Sequence, residues 1–321
     1  MLGFIGRRMA IAVVQVIVVT ASLFVLLSVA AVSDPAQIAA GGEFATPAQV
    51  KVVRHALGLD QPIPIQYYHW LTRAFRGDLG SSLIVKQPVL EYIAKAAPVT
   101  LTVTLIAAIL ALLVGLPAGI IAAWRPHSLT ARVVSLLSAV GIATPSFFIG
   151  IILARIFAVR VGWFPAVGFP EVGFGATVGH PLNSLEHAFL PGVALAIPAG
   201  AALARYTAAS VGDVLQRDYV RTAIGKGMSK RSVLLKHTLK NALIPVVTVF
   251  GLELRTLLGG SVAVEAVFAL PGIGTLTVTA VLNGDYPIIL GVALFALLAV
   301  TVINLLVDAS YAYLNPKVRG S

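Results

Sequence analysis

Apolar and polar positions alternate along this chain in long blocks rather than with the short period of a soluble fold. Met9–Val32, Val99–Trp124, Val133–Ala154 and Pro287–Val307 contain no charged residue. Each meets the roughly 20 apolar residues that a membrane-spanning helix needs. Two weaker blocks complete the pattern. Ala188–Val211 carries Arg205 and the prolines 191 and 198, and Leu243–Val264 carries Glu253 and Arg255. The pattern predicts an all-α membrane protein of six spans, at about 9–32, 99–124, 133–155, 188–211, 243–264 and 287–307. The first block is longer than the roughly 7–15 apolar residues of a signal peptide, so it reads as a retained span despite the small residues of Ala30-Ala31-Val32-Ser33.

Three polar segments punctuate the blocks. Ser33–Pro98 holds six basic residues against five acidic ones, with prolines at 47, 62 and 64 and the turn Gly77-Asp78-Leu79-Gly80. Short helices joined by breaks are expected there. The first domain is therefore 1–98, a span plus an external folded segment. The second is 99–308, a core of five spans, and 309–321 forms a tail. Arg160–His187 reads as a loop rich in glycine and proline, and Glu265–Tyr286 as a short loop.

Composition sharpens this reading. Some 58% of the 321 residues are hydrophobic and 11% charged, against roughly 25% charged in an ordinary soluble domain. A soluble enzyme and a disordered chain are both excluded. The net charge of +10 is then a question of topology rather than of nucleic acid. With the N-terminus inside, the inner segments hold thirteen basic residues. These are Arg7, Arg8, Arg125, Arg132, the seven of Gly212–Asn241, Lys317 and Arg319, while the two short outer loops hold only Arg160. Both termini are expected in the cytoplasm. The absence of cysteine excludes disulfides, thiolate nucleophiles and cysteine metal sites. His180 and His187 lack the i, i+4 spacing of a helical metal pair, so no metal site is expected.

Gly212–Asn241 is too long to be a mere turn between packed helices. Val220, Ala223 and Ile224 fall at i, i+3 and i+4, one apolar face of a short helix. Asp218 sits near its start, where a negative charge suits the dipole. Gly225 and Gly227 offer a break, and Lys230–Leu243 leads back to the membrane. A basic amphipathic helix of this kind can lie on acidic lipid, act as a solvated linker, or enter a groove on a partner protein. Ala223 and Gly227, four apart, favour close approach of another surface.

The run Asp218-Tyr219-Val220-Arg221-Thr222-Ala223-Ile224-Gly225-Lys226-Gly227-Met228 resembles the coupling loop of the membrane subunits of bacterial ABC importers. That loop carries an alanine and, four residues on, a glycine, here Ala223 and Gly227. The acidic residue usual two before the alanine is replaced by Arg221, and the proline usual thirteen after the glycine is replaced by Lys240, with Pro245 following. Further stretches resemble the B subunit of dipeptide and oligopeptide permeases. They include Gly77-Asp78-Leu79-Gly80-Ser81-Ser82, Thr144-Pro145-Ser146-Phe147, Gly162-Trp163-Phe164-Pro165, Val264-Glu265-Ala266-Val267-Phe268, Asp285-Tyr286-Pro287 and Asn304-Leu305-Leu306-Val307-Asp308. Their order covers nearly the whole chain.

The resemblance implies a type I importer permease fold in the bacterial inner membrane. It implies a second, C-type permease, two ATPase subunits below and an extracytoplasmic binding protein above. Peptides would be the cargo, with nickel chelates or glutathione as the alternative. The coupling residues would be Ala223 and Gly227, with Arg221, Gly225, Lys226 and Met228 following by position. No cofactor is expected in this chain, since ATP and Mg would be bound by the partners. Gly225-Lys226 lacks the upstream glycine and the following Ser or Thr of a phosphate loop.

Two other classes fit less well. An ion-coupled transporter would use carboxylates within its spans, and Glu253 is the one acid well inside a predicted span. Arg255, two residues on, points to the opposite side of the helix. Either residue pairs with a neighbouring helix, or one lines the pathway and meets a charged peptide terminus. An intramembrane enzyme would need a nucleophile–base pair or metal cluster, and no histidine falls in any predicted span.

Overall fold

The computed structural model describes residues 2–29, 34–170 and 173–314. The last residues of the first apolar block, and the basic tail residues Lys317 and Arg319, lie outside these. Fifteen α-helices follow one another among the described residues. They are α1 (Leu2–Val29), α2 (Pro35–Ala40), α3 (Pro47–Ala56), α4 (Ile63–Ala74), α5 (Val89–Leu110), α6 (Leu116–Trp124), α7 (Leu129–Ala143), α8 (Ser146–Leu153), α9 (Phe174–Gly179), α10 (Pro181–Leu215), α11 (Asp218–Gly225), α12 (Lys230–Val233), α13 (Leu239–Val267), α14 (Ile273–Leu282) and α15 (Tyr286–Leu314). Five continuous helical stretches are long and apolar enough to cross a membrane, and six if one bent pair is counted as a span.

That bent pair is the first departure from the sequence reading. The apolar run 133–154 is not one straight helix. The helical segments Leu129–Ala143 and Ser146–Arg160 meet at 101°. The cause is Pro145, which lacks an amide hydrogen and drives the preceding residue out of the helical region. Thr144 is extended, with ψ 123°. Elsewhere proline is absorbed. Pro98, Pro191, Pro198 and Pro245 lie inside continuous helices, as neighbouring helices allow in lipid. Three π-helical turns, Ala111–Gly115, Ala154–Arg160 and Leu234–Thr238, interrupt the long helices. The segment 265–286, expected as a short loop, contains α14, and α10 extends well beyond 188–211 at both ends.

Two compact units divide the chain. The first contains residues 2–29, 34–99, 173–176 and 271–301. Its core packs Leu79, Val89, Ile93, Ala96 and Ala97 against Ile273, Ala280, Ile288 and Val292. A hairpin closed by the Ser81–Pro88 bridge is pinned to the start of α15. Asp285, almost fully buried, accepts from the Ser82 hydroxyl and, at 3.2 Å, from the Leu83 amide. Each donor offsets part of the large cost of burying a carboxylate. α1 presents large apolar side chains outward along most of its length, as a lipid-facing span should. Its link to α4 is Tyr67, whose hydroxyl lies 2.9 Å from the Thr20 hydroxyl and donates to the Ile17 carbonyl at 3.0 Å.

The second unit contains residues 100–170, 177–270 and 302–314. α10 is its central helix and packs against α6, α7, α8 and α13. Small residues permit the close approach. Gly115 faces the Gly200 backbone, Gly119 faces Ala204 and Thr207, and Gly192 faces Ile106.

Candidate functional site

The patterned segment after α10 folds as a small shelf. Arg217 leads into α11 in extended conformation, and Asp218 occupies the first turn, where its charge opposes the positive end of the helix dipole. Val220 is fully buried and Ala223 nearly so, and both pack with Val233 and Met228 in a local core. α11 ends in a Schellman turn. Gly227, at φ +85°, donates to the Ile224 carbonyl at 2.9 Å, and the Met228 amide donates to the Ala223 carbonyl at 3.2 Å. Only glycine adopts this left-handed conformation without strain, and the contact of Met228 with Ala223 is the hydrophobic closure typical of the motif.

This geometry revises part of the sequence reading. Ala223 faces its own chain, so its small size serves the packing of α11 on Val233 and Met228. Ile224, on the apolar face of α11, is 45% exposed. The outward face is instead made of Tyr219, Arg221, Ile224 and Lys226, all exposed. It mixes two apolar side chains with two cations. Gly225 and Gly227 are also exposed and have no neighbour within 4 Å of an added Cβ.

One hydrogen bond binds the shelf to α13, and a second ties α13 to α10. The Asn241 amide at the base of α13 donates to the Tyr219 hydroxyl at 3.0 Å. Ser210 of α10 donates to the Ala242 carbonyl at 2.8 Å. α11 is thus bonded to α13, and α13 in turn to α10.

α13 also carries the charges at membrane depth. Glu253 is half-buried and makes no hydrogen bond or ion pair with any described residue. Arg255 is exposed on the helix and donates to the Asn304 side chain on α15. At 100° per residue the two point roughly 200° apart, so the structure does not bring them together. A third charge escaped the sequence reading. Glu265 belongs to α13, not to a loop. It is fully buried and accepts from the Thr100 hydroxyl at 2.7 Å. The expected span ends at Val264, one residue short of Glu265, whereas α13 continues to Val267. The signal available was the acid flanked by Val264, Ala266 and Val267, since isolated acids in apolar runs are costly unless bonded. No group of three or more acidic or histidine side chains is placed to hold a metal among the described residues.

Comparison with known proteins follows the same outline. Residues 115–320 match the family described as "Binding-protein-dependent transport system inner membrane component", and residues 1–104 match its N-terminal region. The glutathione transport system permease protein GsiC of Pectobacterium atrosepticum is 40% identical over 320 residues, covering 99% of both chains. A probable peptide ABC transporter permease protein, y4tP of Sinorhizobium fredii, is 37% identical over 316 residues, covering 98% of this chain and 99% of that one. The inward-facing MetNI methionine ABC transporter shares the fold, with a TM-score of 0.57 at 19% identity over 70% of this chain and 97% of that one.

Proposed function

Because the chain belongs to the family of binding-protein-dependent transport system inner membrane components, we propose that its cargo is a short peptide and that the α11 shelf receives the stroke of a partner ATPase. It is a permease subunit of an ABC importer and a multi-pass protein of the bacterial inner membrane. Such subunits work with a second permease, an ATPase and a binding protein. In the proposed assembly this chain forms half of the pathway beside a C-type permease. Two ATPases dock under the shelf, and an extracytoplasmic binding protein delivers cargo.

The observation that carries this reading is the linkage of Tyr219 to Asn241. An amphipathic helix with an exposed mixed face is the form in which one protein enters another's groove. Here that helix is bonded to the base of a spanning helix, so a push on it has somewhere to go. Glutathione is itself a modified tripeptide, so the two kinds of relative point to one cargo chemistry. The orientation is testable because the chain contains no cysteine. Ser229→Cys, on the exposed turn after Gly227, is expected to react with an impermeant maleimide only in inverted membranes. Labelling from the outside of intact cells would end the coupling-shelf reading.

Glu253 is proposed to line the pathway and meet the ammonium terminus of the peptide. An unpaired carboxylate at this depth is costly against lipid, and an aqueous pathway or a charged cargo relieves it. Hydrogen bonds to charged groups contribute about 1.5–3 kcal/mol. Glu253→Gln is therefore expected to leave peptide-stimulated ATPase coupling intact and to reduce uptake of free-amine peptides about tenfold relative to N-acetylated ones. Identical uptake ratios in the two proteins would refute the assignment.

A further inference from the structure

The first unit holds a cavity of about 500 Å³, within the roughly 300–1,000 Å³ range of small-molecule sites. Its wall joins Phe24 and Leu27, from the last turns of the first span, and Leu290, from the first turns of the last span, to His69, Trp70 and Arg73 of α4. No aspartate or glutamate is among the lining residues. Arg73 is exposed and forms no ion pair with a described residue. Trp70 is 5% exposed and packs its ring beside Phe24 and Tyr67.

We propose that this cavity binds the headgroup of an anionic phospholipid, with the phosphate beside Arg73 and the acyl chains leaving along Phe24, Leu27 and Leu290. The charge is complementary, because one guanidinium stands in the wall with no acid to neutralise it. Guanidinium matches phosphate geometrically, with two parallel N–H donors. The position also favours lipid over a soluble anion. The apolar wall is built from the ends of two membrane-spanning segments, so it opens at the edge of the hydrocarbon layer, where a headgroup lies. His55, also in the wall, is engaged with Asp60 at 2.7 Å. That hydrogen bond from His55 holds the Asp60 carboxyl below its ordinary range, and Asp60 itself is outside the wall. This inference rests on the spans and the cavity alone and is independent of the cargo.

The test is lipid retention by the full chain purified from membranes and placed in nanodiscs of phosphatidylcholine doped with phosphatidylglycerol. Bound lipid is counted by native mass spectrometry. Phosphatidylglycerol is expected to be retained in preference to phosphatidylcholine. Arg73→Gln should cut that retention about tenfold, the scale of one charge-assisted hydrogen bond. Arg76→Gln is the control, since Arg76 lies one turn on and outside the wall; it should match the parent. Thermal melting verifies that each variant is folded. Equal retention of the two lipids by the parent, or equal retention by the Arg73 and Arg76 variants, would overturn the proposal. So would binding of soluble glycerol phosphate as tight as that of the intact lipid, which would make the site one for a free anion.

Discussion

Gly227→Pro is expected to yield a membrane protein that folds and inserts but no longer co-purifies with an ATPase, and whose transport falls to background. Two local facts lead there. Gly227 sits at φ +85°, whereas proline is fixed near −65°. Its amide also donates to the Ile224 carbonyl, and proline has no amide hydrogen to give. Proline in an incompatible backbone position costs about 3 kcal/mol or more. That exceeds what the small Val220–Ala223–Val233 core can absorb, so the Schellman turn opens and Tyr219, Arg221, Ile224 and Lys226 lose their common face. The damage stays local because Gly227 is exposed and no neighbour lies near its Cβ. Gly227→Ala separates strain from disruption. It keeps the amide and pays only the left-handed penalty of roughly 1–2 kcal/mol, so it should weaken ATPase co-purification without abolishing it. Wild-type transport by the proline variant would detach the shelf from coupling.

The same residue shows how much of this protein could be read in advance. Spans follow from hydropathy because lipid leaves the backbone no other solution than to bond to itself. Hence α1, α5 with α6, α10, α13 and α15 fall on the apolar blocks. Gly227 is visible as a break, and Asp218 at the other end of α11 as a helix start, because both are set by residues close in sequence. What stayed hidden depends on partners distant in sequence. The orientation of α11 is one case. Val220, Ala223 and Ile224 share a helical face, but that face is wider than the core formed by Val233 and Met228, and Ile224 falls off its edge. Glu265 is another. An acid at the end of an apolar run reads as a loop residue until Thr100, 165 positions earlier, is found bonded to it. The bend at Thr144–Pro145 lies between. Proline marked the place, but prolines 98, 191, 198 and 245 are absorbed in continuous helices, so the residue alone does not distinguish kink from continuity. The cavity beside Trp70 carried no sequence signal, since it needs α1, α4 and the start of α15 together.

The largest loss of stability is expected at the crossing of α6 and α10, from Gly119→Val. An added Cβ at Gly119 would overlap the carbonyl of Ala204 and approach Thr207 Cβ to 2.6 Å and its methyl to 3.0 Å. Side chains can rotate away from such a contact, but a carbonyl inside α10 cannot move without breaking its helix. One turn earlier, Gly115 meets the backbone of Gly200 in the same manner. Together they form the small-xxx-small register that lets helices in lipid approach through dispersion contacts alone. Overpacking of a close contact costs about 1–3 kcal/mol, and more where backbone must shift. α10 is the central helix of its unit, so separating it from α6 also disturbs its packing on α7, α8 and α13. Gly119→Val should therefore lower the melting temperature in detergent by several degrees or prevent accumulation altogether. Gly212→Ala, in α10, provides the opposite expectation. Nothing lies within 4 Å of an added Cβ there, and alanine in a helix is favoured over glycine by roughly 0.5–1 kcal/mol. That variant should melt at or above the parent temperature. Equal melting of the two variants would mean that α6 and α10 do not cross at these glycines, and the contact between them would have to be redrawn.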